Sequence, residues 1–349
     1  KIQAAEEKVS CMAATFDRRK FIAALHPARE GLDYASDLGT QLSKPGNQRL
    51  FLVACGAPHQ AMSISAYWAM KVARTLEVRR YFPAEFVHQD PLSLDQNTLV
   101  VLASHSGKTK EILQAAEFLS EKACTTLVIT QDQQSTLAQS SDHVFAYGDT
   151  EQGYYAGYLL FQSFLSSLLK SKEKWEIHEP LIASLKVLPE SLADAFEAQD
   201  TQAFEIANRI KDESILYLAG AGPMYGTAYV IASCILMEMQ WIHAHPIRAA
   251  EFFHGPFEVM DEKTLIINLL GEDPSRPEAE RVDQFCQKVS IPIITYDSKT
   301  FPMVGIDSRI RPILAPLFLD AALVRMAEHL ADLRQHPLSK RRYMGKVEV

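Results

Sequence analysis

Residues 98–112 read TLVVLASHSGKTKEI. Thr98–Ala103 is an unbroken, mainly apolar run, the pattern of a parallel strand buried on both faces. It breaks into Ser104-His105-Ser106-Gly107-Lys108-Thr109 and then into helical spacing, with Ile112, Ala116 and Leu119 on one side. A strand that delivers a helix N-terminus in this way makes an anion site. The first helical turn has N–H groups without intrahelical partners, and the positive end of the macrodipole lies there. Ser104, Ser106 and Thr109 add hydroxyl donors, and Gly107 lets the backbone approach closely. Ser and Thr are also ordinary N-caps. Three hydroxyls and a glycine between 104 and 109 exceed what one cap uses, so the stretch predicts a phosphate site.

Working outward, Arg49–Cys55, Val78–Phe82 and Cys124–Thr130 read as further strands, with a helix from Gly56 to about Leu76. Strands alternating with helices imply a parallel sheet covered on both faces. Residues 153–170 form an apolar helix and 171–211 a polar, acidic, helix-prone connector. The pattern then restarts: strand Ile215–Ala219, the small-residue turn Gly220–Gly226, a helix from Ala228 to about Trp241, strands Thr264–Leu270 and Ile291–Tyr296, and a closing helix over 313–333. LFLVACGAPHQA at 51–62 and LYLAGAGPMYGTA at 216–228 share one order of events, which reads as a duplicated α/β unit. The predicted organisation is a helical lead-in at 1–45 with its break at Ser43–Gly46, a first domain at 46–170, a connector at 171–211, a second domain at 212–335 and a tail at 336–349. Gly220, Gly222 and Gly226 miss the dinucleotide fingerprint by one residue, and no acid closes a following strand, so a nicotinamide or flavin fold is a poor match.

Composition narrows the function classes. A chain of 349 residues is long for one core and fits two domains. Net charge is −8, which argues against a nucleic-acid partner. No apolar stretch reaches the roughly 18–20 residues of a membrane span, and the charged opening KIQAAEEKVSC lacks a signal-peptide core. Cys11, Cys55, Cys124, Cys234 and Cys286 are scattered without a CxxC pair, as fits buried thiols in a reducing cytoplasm.

The second half carries the candidate chemistry. Glu238 interrupts an apolar helix between Met237 and Met239; burial there would raise its pKa and suit it to proton transfer, while a solvent-facing position would make it an ordinary helix Glu. His254 follows two phenylalanines and precedes Gly255-Pro256, so it sits in a turn, with Glu251 and Glu258 near enough in sequence to orient its imidazole. His243, His245 and His254 lack metal-ligand spacing, and no GxSxG elbow occurs, so neither a metal centre nor a serine hydrolase is predicted.

ASHSGKTKE at 103–111 resembles the phosphosugar signature of the sugar isomerase (SIS) domain family, and the doubled α/β unit resembles its two-domain members. MEMQWIH with Glu238, EFFHGPFE with His254, and the terminal RQHPLSKRRYMGKVEV are similar to the isomerase half of glucosamine-6-phosphate synthase. They are closer still to the fructosamine-6-phosphate and glucoselysine-6-phosphate deglycases. The resemblance implies two tandem flavodoxin-like, doubly wound SIS domains and no cofactor. It implies a phosphate held by Ser104, His105, Ser106, Gly107 and Thr109, with Glu238 as general base and His254 as acid/base at the sugar oxygen. Gly56, Glu251 and Lys346 become candidate contacts to the sugar or amino acid, Lys346 lying where the synthase has its C-terminal lysine. Arg276 and Arg281 are further conceivable carboxylate partners, although surface ion pairs are their commoner role. A homodimer or larger assembly with His254 serving a neighbouring subunit is also implied. Departures exist: His105 replaces a Gln common in the synthase loop, and the synthase's Ser-Thr-Lys segment has no match near Gln152–Gly157. An aldose–ketose or aminosugar-phosphate isomerase or deaminase would use the same residues. A sugar-phosphate sensor would dispense with the acid/base pair and bring a DNA-binding domain, for which the lead-in is short.

Overall fold

The apolar run Thr98–Ala103 forms strand β3, buried at every residue, and a five-stranded parallel sheet is built around it. The computed structural model describes residues 15–43 and 46–347; Cys11 and the Lys44-Pro45 break lie outside the described residues. Helices α1 (Arg18–Glu30) and α2 (Leu32–Leu42) precede β1 (Arg49–Ala54), α3 (Gly56–Val72), β2 (Glu77–Tyr81) and α4 (Pro83–Gln89). After β3 come α5 (Lys110–Ser120), β4 (Thr125–Thr130), the one-turn α6 (Thr136–Gln139), β5 (His143–Ala146) and α7 (Gly153–Glu173). The strand order is β2-β1-β3-β4-β5, the flavodoxin-like order. β5 has no counterpart in the sequence reading, because a four-residue strand with Phe145 as its one buried position carries too little period-two signal.

Leu50, Phe51, Leu52, Val53, Val100 and Val101 are fully buried, each worth about 1.5–3 kcal/mol of transfer free energy. Gly39 permits α2 to lie against α7, since a Cβ there would stand 2.3 Å from the Phe164 carbonyl oxygen. The helical lead-in is therefore packed into the first unit, with Ser163 donating to the Leu32 carbonyl at 2.7 Å.

Helix α8 (His178–Ile210) follows, carrying Pro189 internally. The chain divides next to that proline: one compact unit comprises Arg19–Glu190 with Gly305–Ile313, and the other Ser191–Val304 and Leu314 onward with the segment before Arg19. In the second unit β6 (Ile215–Gly220) leads into α9 (Met224–Tyr229), which widens into a π-helix at Val230–Met237. Then come β7 (His243–Arg248), β8 (Ile266–Leu270), α10 (Arg276–Lys288), β9 (Ile293–Asp297) and α11 (Arg311–Leu333). The four strands are parallel in the order β7-β6-β8-β9. β7 was not legible in HAHPIR, which contains Pro246; it is an edge strand, where proline's missing N–H is tolerated.

Candidate active site

In an open parallel sheet a ligand site forms beyond the carboxyl ends of the strands, where the strand order reverses. In the first unit that point lies between β1 and β3. β1 runs out into Cys55-Gly56 and β3 into Ser104–Thr109, so Gly56 and the hydroxyl loop flank it. Gly56 has φ +58° with no atom within 4 Å of where a Cβ would stand, which leaves open space above the backbone.

The loop is tied down on its far side. Ser104 N–H donates to the Ile129 carbonyl at 3.1 Å, while Gln131 N–H and Thr130 Oγ1 both donate to the His105 carbonyl, at 3.1 and 3.2 Å. Gly107 adopts φ +63°, and a Cβ on it would lie 2.5 Å from Ser135 Cβ and Oγ. Thr109 is the N-cap residue of α5, yet its side chain makes no capping bond; its hydroxyl meets Ser104 Oγ at 2.9 Å instead. Ser106 Oγ accepts from Lys108 N–H at 3.2 Å. An ordinary Ser/Thr cap would spend the hydroxyl on the helix. Here the Thr109 side chain makes no such bond to α5, and its hydroxyl stays with Ser104 at the mouth of the loop.

His105 is held by a residue the sequence reading did not single out. Its Nδ1 hydrogen bonds with the Tyr147 hydroxyl at 2.9 Å, the two rings are stacked, and a Cβ on Gly153 would stand 2.3 Å from that nitrogen. Burial holds His105 below the ordinary histidine range, with Asp149 opposing, and burial pushes the Tyr147 phenol up. Both groups are neutral at pH 7, so His105 serves the loop as a hydrogen-bonding group.

The second unit holds Glu238, Glu251, His254 and Lys346. Glu238 directly follows the π-helix, its N–H reaching back five residues to the Ser233 carbonyl at 3.2 Å; π turns recur at functional sites. The carboxylate is about three-quarters covered and accepts from Arg341 Nε at 2.9 Å. Burial raises its pKa above the usual glutamate value, and Arg341 pulls the other way. Of the two positions left open for Glu238, the half-buried one is observed.

His254 lies on an exposed turn anchored by aromatic packing: Phe252 is fully buried, and Phe253 packs against Phe257 and Phe285. Neither Glu251 nor Glu258 hydrogen bonds the imidazole; it is the Glu251 main-chain carbonyl that accepts, from His254 N–H at 3.0 Å. The turn's 3-10 geometry directs both carboxylates to solvent. Lys346 is exposed, and its Nζ donates to the Arg341 carbonyl at 2.6 Å. Arg276 is consumed structurally by Asp297 and Glu280, and Arg281 pairs with Glu278 over the Phe253 ring. No group of three or more ligating side chains suited to a metal ion occurs among the described residues.

A family model, the SIS domain, matches residues 44–168, the segment that contains the hydroxyl loop. The chain is 37% identical to the fructosamine deglycase FrlB of Bacillus subtilis over 301 residues, 86% of this chain and 92% of that protein. It belongs to the SIS-domain deglycase family. This SIS-domain chain is also 30% identical to an agropine synthesis conjugase of Rhizobium rhizogenes, over 93% of each. A Bacillus subtilis protein described as a phosphosugar isomerase shares its fold at a TM-score of 0.85 and 34% identity, covering 95% of this chain and all of that one.

The second sheet of this SIS-domain protein repeats the strand order but not the hydroxyl loop. After β8 the chain reads Gly271-Glu272-Asp273-Pro274-Ser275, and Gly222 after β6 closes onto it: a Cβ there would lie 2.7 Å from Asp273 Oδ1 and Ser275 Oγ. One carboxylate and one hydroxyl lie against that turn, in contrast to the three hydroxyls of the loop after β3.

Proposed function

We propose that this protein cleaves a 6-phosphorylated fructosamine, a ketose phosphate bearing an amino acid nitrogen on C1, into a hexose 6-phosphate and the free amino acid. The observation that carries this reading is Glu238: a mostly covered carboxylate, weakened as an acid by burial, in a chain that also holds an uncapped hydroxyl loop. Such a carboxylate is matched to accepting and returning a carbon-bound proton near neutral pH.

Glu238 takes a proton from C1 while an acid protonates the C2 oxygen, giving an enaminol. Return of the proton to C2 produces an imine at C1, and water adds to that carbon and expels the amine. One water is consumed, and no electron acceptor is required. His254 supplies the acid, first in opening the sugar ring and then at the C2 oxygen. Ser104, Ser106, Gly107 and Thr109 anchor the phosphate, with His105 beside them, and that remote binding energy orients the reacting end. Gly56 leaves room for the sugar backbone, and Glu251 and Lys346 contact the amino acid portion.

We read the second sheet as a second SIS unit, because its β7-β6-β8-β9 order reproduces the β2-β1-β3-β4 order of the first. The assembly is a homodimer in which His254, exposed and without a hydrogen-bonded partner to its ring, serves the neighbouring subunit. Free thiols at Cys55, Cys124, Cys234 and Cys286 support a cytoplasmic enzyme. Identity to the conjugase favours a second reading, in which the same steps run toward condensation.

Incubation with fructoselysine, fructose-asparagine and glucoselysine 6-phosphates, with free amino acid assayed, tests the proposal. At least one of the two fructosamine phosphates should be cleaved; cleavage of glucoselysine 6-phosphate alone, with its amine on C2, would overturn the C1 reading. Glu238→Gln should lower kcat by about 10²–10⁴. Near-normal turnover by that variant removes the base assignment. Conjugate accumulating from hexose 6-phosphate and amino acid, with no cleavage of any of the three, would establish the condensation reading instead.

A further inference from the structure

The tail after α11 makes a set of contacts that neither the phosphate loop nor the acid/base assignment uses. Trp241, three residues beyond Glu238, stands at φ +55°, a left-handed conformation that is costly for a residue with a Cβ. Its indole is surrounded by the tail. His336 meets it edge-on at 4.5 Å, the Lys340 ammonium lies 5.1 Å from the ring centre and the Arg342 guanidinium 4.2 Å. Gln240, buried beside it, donates Nε2 to the His336 carbonyl at 2.7 Å. Two exposed cations share one indole, each drawn to the ring by its electron-rich face.

Between those two cations in sequence lies Arg341, which turns the other way. Its Nε donates to Glu238 at 2.9 Å, while Nη1 is spent on the Leu338 and Lys340 carbonyls at 2.6 and 3.1 Å. The guanidinium is thus fixed by its own backbone before it meets the carboxylate. Arg341 is the charge that faces Glu238. Lys340 and Arg342 are directed to Trp241, and Lys346 to the Arg341 carbonyl. Resting on the assignment of Glu238 as base, we propose that Arg341 is a positioning residue that aims Glu238 and keeps it ionised, and that Trp241 is the clasp that seats the tail carrying it.

The arrangement separates two demands on one carboxylate. Burial makes Glu238 basic enough to take a carbon-bound proton, and Arg341 keeps it in the charged form that accepts one. A Lys at 341 would retain the charge but lose the planar fork, and with it one of the carbonyl anchors.

The test is the titration of Glu238 in the unliganded protein, followed by NMR on glutamate δ-carbons labelled with ¹³C and assigned by its loss in Glu238→Gln. Arg341→Gln should raise the Glu238 midpoint by about one pH unit. Arg341→Lys should restore at least half of that shift. Trp241→Gly suits the left-handed backbone and removes the indole, and it should reproduce the Arg341→Gln titration with residue 341 unaltered. The acid limb of kcat/KM should follow the NMR midpoint in each case. An unmoved titration in Arg341→Gln overturns the role of Arg341, and a wild-type titration in Trp241→Gly overturns the clasp. Turnover retained by Glu238→Gln overturns the base assignment beneath the inference. An inactive Glu238→Gln together with an unmoved titration overturns the inference alone.

Discussion

Replacing Gly107 by alanine puts the phosphate loop under two separate loads. The position has φ +63°, and a left-handed conformation costs an L-residue about 1–2 kcal/mol. The new methyl would also stand 2.5 Å from Ser135 Cβ and Oγ and 3.1 Å from Thr130 Oγ1. Neither neighbour is idle: Ser135 Oγ caps α6 by accepting from Ala138 N–H at 3.2 Å, and Thr130 Oγ1 donates to the His105 carbonyl. Displacing the cap adds about 1 kcal/mol, for a sum of about 2–3 kcal/mol. If the strain stays in the folded unit, Tm falls by about 4–12 °C at the sensitivity of a domain of this size. If the loop relaxes instead, Tm holds and affinity for a hexose 6-phosphate drops by about 30- to 150-fold for the same free energy. Differential scanning calorimetry and isothermal titration together cover both routes. Gly56→Ala is the control for the Tm measurement alone, since φ +58° there meets open space and only the conformational part applies. A Gly107→Ala protein with wild-type Tm and wild-type phosphate affinity would refute the reasoning.

Three further outcomes are expected. If the proposed dimer shares its sites through His254, mixing inactive Glu238→Gln with inactive His254→Ala and refolding them together should restore part of the activity, because each mixed dimer would contain one intact site; persistent inactivity would count against a shared site. Gly153→Ala should displace His105 from Tyr147, since its methyl falls 2.3 Å from the imidazole nitrogen, and raise KM for the phosphorylated substrate with little change in kcat; an unchanged KM removes His105 from the phosphate site. His59, His105 and His178 are all held below the ordinary histidine value by burial, so the folded chain binds fewer protons than the unfolded one. Their contribution to stability is then present above the ordinary histidine value of about 6.5 and is lost as pH drops below it, so Tm should be lower on the acid side. A Tm that rises on acidification contradicts this.

The parallel α/β architecture was legible because β1, β3 and β8 are buried almost throughout, and a run that is apolar on both faces needs no partner to be recognised. β5 and β7 were not legible, being short, half-exposed or broken by proline, and they are strands only because β4 and β6 offer them a paired edge. The hydroxyl loop's place between β3 and the following helix was legible from residue type alone. That Thr109 leaves α5 uncapped was not, since capping depends on where a side chain turns. The carboxylates beside His254 show the reverse case: closeness in sequence placed Glu251 and Glu258 near it, and the turn sends them away.

Sequence by itself determined the strand–loop–helix unit and the gathering of three hydroxyls and a glycine at residues 104–109, because both are carried by residue type at short spacing; the pairing of Glu238 with His254 as acid and base rests on family resemblance. Tertiary structure decided what those residues meet. Arg341 reaches Glu238 from the far end of the chain, Tyr147 holds His105, and Arg276 is withdrawn into ion pairs with Asp297 and Glu280. Charge, aim and acidity belong to contacts between residues distant in sequence, and packing alone chooses those contacts.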